Sequence, residues 1–248
     1  MLSLDLISWA ALCLHKDRGK TIETIESRRY RHGLVPVAVE SEVLDSDFFQ
    51  DMMEQPAVDV VAPLLSEESR LITELANAIG FRGTVAGIGD ATQTYRKLAM
   101  RLGGDYVCID PRLRPLRVAS TQAELSNAAL LLSRKFGQLD RSNLPAGAIL
   151  WIFPFNLYSY LPTAPDDLKS VCRVGDVVVI SAWSDTPHAI ALRKRYDSVL
   201  AEMRGSLAPT AARRTVAAPL PRFAHYGVAR GNFVNLYIYL VRDRAEIA

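Results

Sequence analysis

The spacing of hydrophobic positions changes near residue 66, and this change predicts two regions. Residues 1–65 carry helix-like patterns with many charges and few strand candidates. From Ser66 onward, segments with helical spacing alternate with short apolar runs rich in β-branched residues, which predicts alternating helices and strands. We therefore expect a helical N-terminal cap over residues 1–65 and an α/β domain over residues 66–248.

The apolar runs of the second region predict its strands. They lie at residues 84–89, 106–110, 148–153, 176–183, 223–229 and 233–241. Ser66 is expected to cap the helix before the first strand, and Thr121 is expected to open a helix that ends near Gly137. Strands that alternate with helices form a parallel sheet covered on both faces. The prediction is a doubly wound, mostly parallel Rossmann-like α/β sheet with a C-terminal antiparallel hairpin.

Composition narrows the classes of function. The 248 residues are 49% hydrophobic and 23% charged, as in ordinary globular domains. A net charge of +2 gives no reason to expect a nucleic acid or an anionic membrane as partner, and no uncharged stretch approaches membrane-spanning length. The three cysteines are far apart, without CxxC spacing, which favours reduced thiols in a cytoplasmic protein. The histidines show no pairing, so we expect no metal site.

The first apolar run ends in glycines, and this turn is the main candidate for ligand binding. Gly87 and Gly89 let the backbone turn sharply and approach a ligand. Asp110 ends the next strand, 21 residues after Gly89, where a carboxylate can accept the hydroxyls of a ribose. These positions predict a nucleoside ligand beyond the carboxyl ends of the strands. The alternative interpretations are a structural turn at the glycines and a helix cap at Asp110.

Residues 85–91, Val-Ala-Gly-Ile-Gly-Asp-Ala, together with Asp110, resemble the glycine-rich first motif and the ribose-binding acid of the class I S-adenosylmethionine (SAM)-dependent methyltransferases. The resemblance covers roughly residues 66–248, including the closing hairpin. It implies SAM as cofactor, held by Gly87, Gly89 and Asp110.

Two departures from that motif bear on the cofactor. The family usually has an acidic residue just before the glycines, where this chain has Val85 and Ala86, and Ala91 replaces the third glycine. Asp90 is a candidate to supply the missing charge to the methionine amino group. A dinucleotide is the competing ligand, but it needs the third glycine, and a carboxylate at Asp90 would repel its pyrophosphate. We therefore expect SAM.

The fourth strand leads into a segment rich in aromatics. Pro154 has no amide hydrogen to donate, so the strand should stop near residue 153. The rim of the ligand-binding crevice, which we expect beyond the carboxyl ends of the strands, would then carry Phe155, Asn156 and Tyr158. We expect Phe155 to help bind the cofactor, because an aromatic face attracts a sulfonium cation, and Asn156 and Tyr158 to shape the acceptor pocket and serve catalysis. The alternative is that these side chains only pack the sheet edge.

Asp185 and His188 follow the fifth strand and are further catalytic candidates, because both titrate. The alternatives are a helix-capping role for Asp185 and a surface position for His188. Taken with the resemblance, the sequence predicts a SAM-dependent transferase, a methyltransferase with a small-molecule acceptor. The alternatives are transfer of the aminocarboxypropyl arm of SAM, cyclisation of that arm, and a non-catalytic binding module of the same fold.

Overall fold

One seven-stranded sheet organises the residues that the computed structural model describes, which are 55–90, 94–110, 129–132, 136–161, 164–203 and 226–242. The strands are β1 (Thr84–Ile88), β2 (Tyr106–Ile109), β3 (Ala129–Leu132), β4 (Ile149–Phe153), β5 (Val177–Trp183), β6 (Tyr226–Arg230) and β7 (Val234–Leu240). Their order across the sheet is β3-β2-β1-β4-β5-β7-β6. Strands β1 to β5 pair in parallel, while β7 is antiparallel to both β5 and β6.

Helices cover both faces of this sheet. The helices are α1 (Gln55–Ala78), α2 (Arg96–Leu102), α3 (Ala164–Val171) and α4 (Pro187–Met203). Successive strand residues point to opposite faces: Val177 and Val179 pack on the side of α1 and α2, while Val178 and Ile180 pack on the side of α3. We call these the first and the second face. The expected doubly wound, mostly parallel sheet with a C-terminal antiparallel hairpin is confirmed, and its order β3-β2-β1-β4-β5 is the Rossmann order.

In these ranges, no helix is both long enough and apolar enough to cross a membrane.

Helix α1 begins earlier than the sequence predicted. It continues without a break from Gln55 through Pro63 to Ala78, so the expected start at Ser66 is wrong. A proline inside a helix costs about 3 kcal/mol, and here the first half of α1 buries apolar side chains against Tyr196 and Leu200 of α4. That packing offsets the cost. The expected boundary between residues 65 and 66 falls inside α1. Residues 1–54 lie outside the described residues, so the helical cap stays a prediction.

Strand β3 replaces part of an expected helix. The helix predicted from Thr121 to Gly137 is wrong over Ala129–Leu132, which pairs in parallel with Tyr106–Ile109. A short run of leucines fits a helix and a buried strand equally well. The edge of β2 carries amide and carbonyl groups that need partners, and β3 supplies them. Residues 121–128 lie outside the described residues.

Candidate functional site

The carboxyl ends of β1 and β2 carry the glycine turn and the expected ribose-binding acid. Gly89 follows β1 with a left-handed φ of 65°, and its amide donates a 2.7 Å hydrogen bond to the carbonyl of Ile109. The next residue, Asp110, is fully buried. Its amide donates to the carbonyl of Leu132 at 3.1 Å. The fold thus brings Gly89 and Asp110 to neighbouring strand ends, while their contacts with a cofactor stay predictions.

Asp90 turns inward from this loop. Its carboxylate accepts the hydroxyl of Tyr106 at 2.6 Å and the amides of Thr94 and Tyr95 at 2.9 and 3.1 Å. A Cβ on Gly87 would lie 2.8 Å from both Cβ and Oδ2 of Asp90, so Gly87 makes room for this side chain on the first face. Burial raises the pKa of the Asp90 carboxyl.

This geometry corrects two expectations about Asp90. A carboxylate bound to Tyr106 on the first face is not presented to the amino group of a ligand beyond the strand ends. For the same reason, it does not stand where a pyrophosphate would lie, and repulsion by Asp90 is no argument against a dinucleotide. The feature that still separates this sheet from the simple Rossmann order is antiparallel β7, inserted between β5 and β6.

The segment after β4, residues 154–157, lies beyond the carboxyl end of that strand, and we call it the rim. Phe155 and Asn156 both have left-handed backbones, with φ of 49° and 59°. The amide of Leu157 donates to the carbonyl of Pro154 at 2.9 Å and closes the turn. Cδ2 of Leu157 would lie 2.6 Å from a Cβ on Gly89. The rim therefore rests on the glycine turn, and the two candidate segments meet.

Of the three residues predicted to serve binding or catalysis after β4, Phe155 and Tyr158 are packed against neighbouring side chains. The ring of Phe155 contacts Trp183 and Tyr196, with centroid distances of 6.1 and 5.6 Å, and is half-buried. Tyr158 is buried on the second face, edge-on to Phe153 at 5.3 Å. Within the described ranges its hydroxyl meets no hydrogen-bond partner, and burial raises its pKa.

The catalytic interpretation of Tyr158 finds no support in this placement, because its hydroxyl is closed off from solvent. Asn156 is 7% exposed and follows the half-buried Phe155 in the rim. The predicted roles of Phe155 and Asn156 stay predictions.

Asp185 and His188 are exposed and lie between the end of β5 and the first turn of α4. The hydroxyl of Thr186 accepts the amide of Ala189 at 3.1 Å, so Thr186 and not Asp185 caps the helix. Strand β4 lies between β5 and β1, which separates this segment from the glycine turn. The catalytic roles of Asp185 and His188 stay predictions.

Sequence reasoning missed Glu68, a buried carboxylate on α1. It accepts the hydroxyls of Tyr95 and Ser181 and, at 2.8 Å, the amide of Phe155. Burial raises the pKa of Glu68, and the nearby charge of Asp90 adds to this shift. The sequence contained a signal: Glu68 is four residues from both Leu64 and Ile72, which puts it on the apolar stripe of the helix.

A second buried charge cluster lies at the amino ends of the strands, opposite the glycine turn. Asp176, just before β5, pairs with Arg141 at 3.0 Å and accepts the indole N–H of Trp151 and the amide of Ile149 at 3.0 and 2.8 Å. These contacts join the amino ends of β4 and β5, so we interpret the cluster as structural. Across the described ranges, His, Cys, Asp and Glu form no group of three or more that could hold a metal ion.

Neither a protein-family model nor a curated protein matches this sequence. Among similar solved structures, N-methyltransferase NodS from Bradyrhizobium japonicum is 16% identical, with a TM-score of 0.43, over 73% of this chain and 98% of that one. The 1,6-didemethyltoxoflavin-N1-methyltransferase from Burkholderia thailandensis is 12% identical, with a TM-score of 0.49, over 84% and 93%. A 16S rRNA (adenine(1408)-N(1))-methyltransferase from Catenulisporales acidiphilia is 16% identical, with a TM-score of 0.42, over 69% and 90%.

These similarities concern the fold alone. The Rossmann-like fold that the resemblance to class I SAM-dependent methyltransferases implied is confirmed by the strand order and the antiparallel hairpin of this chain.

Proposed function

We propose that this protein is a SAM-dependent transferase, and specifically a methyltransferase that acts on a small-molecule acceptor. The observation that carries the proposal is the hydrogen bond from Gly89 to Ile109. It fixes a left-handed glycine turn directly beside Asp110, at the carboxyl edge of a doubly wound sheet. Ligands of such sheets bind at this edge, and a carboxylate beside a glycine turn suits a nucleoside.

The residues of this edge fit SAM in three respects. Asp110 would accept the ribose hydroxyls. The turn at Gly89 would let the nucleoside approach the backbone. The rim would lie along the methionine part, where the ring of Phe155 can attract a cation. When bound, SAM supplies a carbon activated by a sulfonium.

Methyl transfer requires little acid–base catalysis from the protein. The chain's own residues have to align an acceptor with the reacting carbon and exclude water. Asn156, carried on a tightly turned rim, is the candidate to orient the acceptor through its amide. Because alignment is the main demand, the proposal needs no catalytic triad.

Titration calorimetry with S-adenosylhomocysteine, the product of methyl transfer, tests the proposal directly. The wild-type protein should bind it, and Asp110→Ala should weaken binding by about 1.5–3 kcal/mol, because two hydroxyls lose a charged acceptor. Asp105→Ala is the matched control, since Asp105 is an exposed aspartate at the other end of the same strand, and it should bind as tightly as wild type. Absence of binding to the wild-type protein would sink the proposal, and equal affinities for both variants would remove Asp110 from the site.

One observation favours a second reaction on the same cofactor. Val85 and Ala86 are fully buried in β1 and Asp90 faces inward, so these positions present no carboxylate to the amino end of SAM. A different grip on that arm suits transfer or cyclisation of the aminocarboxypropyl group. Mass spectrometry of the products separates the two reactions: S-adenosylhomocysteine marks methyl transfer, and methylthioadenosine marks attack on the arm.

A further inference from the structure

The rim holds two residues with left-handed backbones in succession. This conformation costs roughly 1–2 kcal/mol for most residues with a side chain, and asparagine adopts it more readily, so the strain falls mainly on Phe155. Such conformations persist only where surrounding contacts fix them. The contacts of the rim therefore decide where the amide of Asn156 points.

Glu68 makes a polar contact that reaches this pair from outside the rim. Its Oε2 accepts the amide of Phe155 at 2.8 Å, and the same oxygen accepts the hydroxyl of Ser181 on β5. Its Oε1 accepts the hydroxyl of Tyr95. Glu68 is 1% exposed, so its carboxylate is fixed on three sides by donors from three different segments.

Tyr95 extends this arrangement to the glycine turn. Its hydroxyl donates to Glu68, while its amide donates to Asp90 at 3.1 Å. Asp90 directly follows Gly89. A short chain of hydrogen bonds thus connects the turn after β1 to the rim after β4, and Glu68 is the member that touches the rim.

We propose that Glu68 is a positioning residue: its carboxylate holds the amide of Phe155 and thereby fixes the left-handed pair of Phe155 and Asn156. With 1% of its surface exposed, Glu68 would act through Phe155 and not through a contact of its own with a ligand. The consequence for an acceptor rests on the proposed function, whereas the anchoring of Phe155 stands on the geometry of this chain alone.

The hydrogen bond between Glu68 and the Phe155 amide, which we call the anchor, is tested without any ligand by NMR of protein labelled with 15N-phenylalanine. An amide bonded to a carboxylate changes its chemical shift when that carboxylate gains a proton. The Phe155 amide should therefore show a pH-dependent step, which Glu68→Gln should abolish. The variant should still fold, because the amide oxygen of glutamine can accept from Phe155 and Ser181 while its NH2 group donates to Tyr95.

Glu67 supplies the matched control. It is the neighbour of Glu68 on α1, and its carboxylate accepts the amide of Phe233 at 2.7 Å in the turn between β6 and β7. Glu67→Gln should leave the step of Phe155 intact. Among the residues that the structure describes, Asp90 and Tyr95 are the other titrating groups that face Glu68, so any small step left in Glu68→Gln should disappear when Asp90→Asn is added.

A second measurement reports on the rim itself. Glu68→Ala removes the acceptor, and it should weaken binding of S-adenosylhomocysteine about tenfold, a loss of about 1.4 kcal/mol. Glu68→Gln and Glu67→Ala should stay within about twofold of wild type. Rescue by glutamine separates positioning of the rim from a need for charge.

The outcomes distinguish this inference from the proposed function. If wild-type protein fails to bind S-adenosylhomocysteine, the proposed function fails and the amide titration still decides the anchor. If the Phe155 amide shows no step that depends on Glu68, the inference is overturned, whatever the protein binds. If Glu68→Ala does not fold, the titration of wild type and Glu68→Gln gives the same decision.

Discussion

Alanine substitutions at Gly89 and Gly103 can be compared directly, because the two positions differ in one contact. Both glycines are left-handed, with φ of 65° and 69°. A Cβ on Gly103 would meet nothing within 4 Å, whereas a Cβ on Gly89 would lie 2.6 Å from Cδ2 of Leu157. Alanine at Gly103 should therefore carry only the conformational cost, and alanine at Gly89 should carry the same cost plus the displacement of the rim.

The expected losses of stability follow from the cost of the left-handed backbone and the cost of displacing Leu157. The left-handed conformation costs about 1–2 kcal/mol for alanine, so Gly103→Ala should lower the free energy of unfolding by that amount. Overpacking adds about 1–3 kcal/mol. We expect the lower end for Gly89→Ala, because the methyl group of Leu157 is the far end of a flexible side chain. The excess of Gly89→Ala over Gly103→Ala should be about 1 kcal/mol.

Urea unfolding of the two variants, each with and without Leu157→Ala, measures this excess as a double-mutant cycle. The excess should vanish when Leu157 is truncated, because no side chain then opposes the new Cβ. Calorimetry should show weaker binding of S-adenosylhomocysteine for Gly89→Ala alone. Equal losses for Gly89→Ala and Gly103→Ala, or an excess that persists without Leu157, would show that the rim does not rest on the glycine turn.

Three further predictions concern buried polar groups. Asp176→Asn should lower the free energy of unfolding by about 3–5 kcal/mol, because it leaves the Arg141 charge buried without its partner; the same measurement on the exposed Asp140→Ala should show a much smaller loss. Tyr158→Phe should raise the free energy of unfolding by about 1 kcal/mol, since it removes a buried hydroxyl that has no partner in the described ranges. A lower free energy of unfolding would instead show that the hydroxyl has a hydrogen-bond partner. The folded pKa of Glu68 is raised above 4.5, so its protonated form stabilises the fold and this contribution is lost as pH rises from 4.5 through the folded pKa. Unfolding measured across that range should show a steeper decline for wild type than for Glu68→Gln, and parallel curves would contradict the assignment.

The parts of the fold that follow from periodicity could be predicted from the sequence. The strands at residues 84–88 and 177–183 are apolar runs bounded by turn residues, and the hairpin turns at Gly231, so their spacing determines their structure. The run at 129–132 could not be assigned in this way, because leucines fit both periods and only the free edge of β2 selects the strand. The start of α1 was missed because Ser66 is a suitable N-cap by residue type, whereas packing against α4 extends the helix back to Gln55.

The candidate site divides along similar lines. The positions of Gly89 and Asp110 follow from strand ends, which the sequence marks clearly. The orientation of Asp90 does not, because its direction depends on Tyr106, a partner 16 residues away on another strand. The carboxylate of Glu68 is held by the hydroxyl of Ser181, which is 113 residues away, and it accepts the amide of Phe155, which is 87 residues away. A single sequence carries no spacing rule for such contacts, although a glutamate on an apolar helical stripe was a visible sign.

Glu67 and Glu68 couple the rotation of α1 to two loops, because each carboxylate binds a different loop. Glu67 and Glu68 project about 100° apart around the helix axis, one to the turn at Asn232–Val234 and the other to the rim. A twist of α1 about its axis would loosen both loops together, even if it began at the contacts of Val60 and Val61 with α4. Substitutions in that packing layer would therefore act on the rim through the angle at which the helix presents two neighbouring side chains.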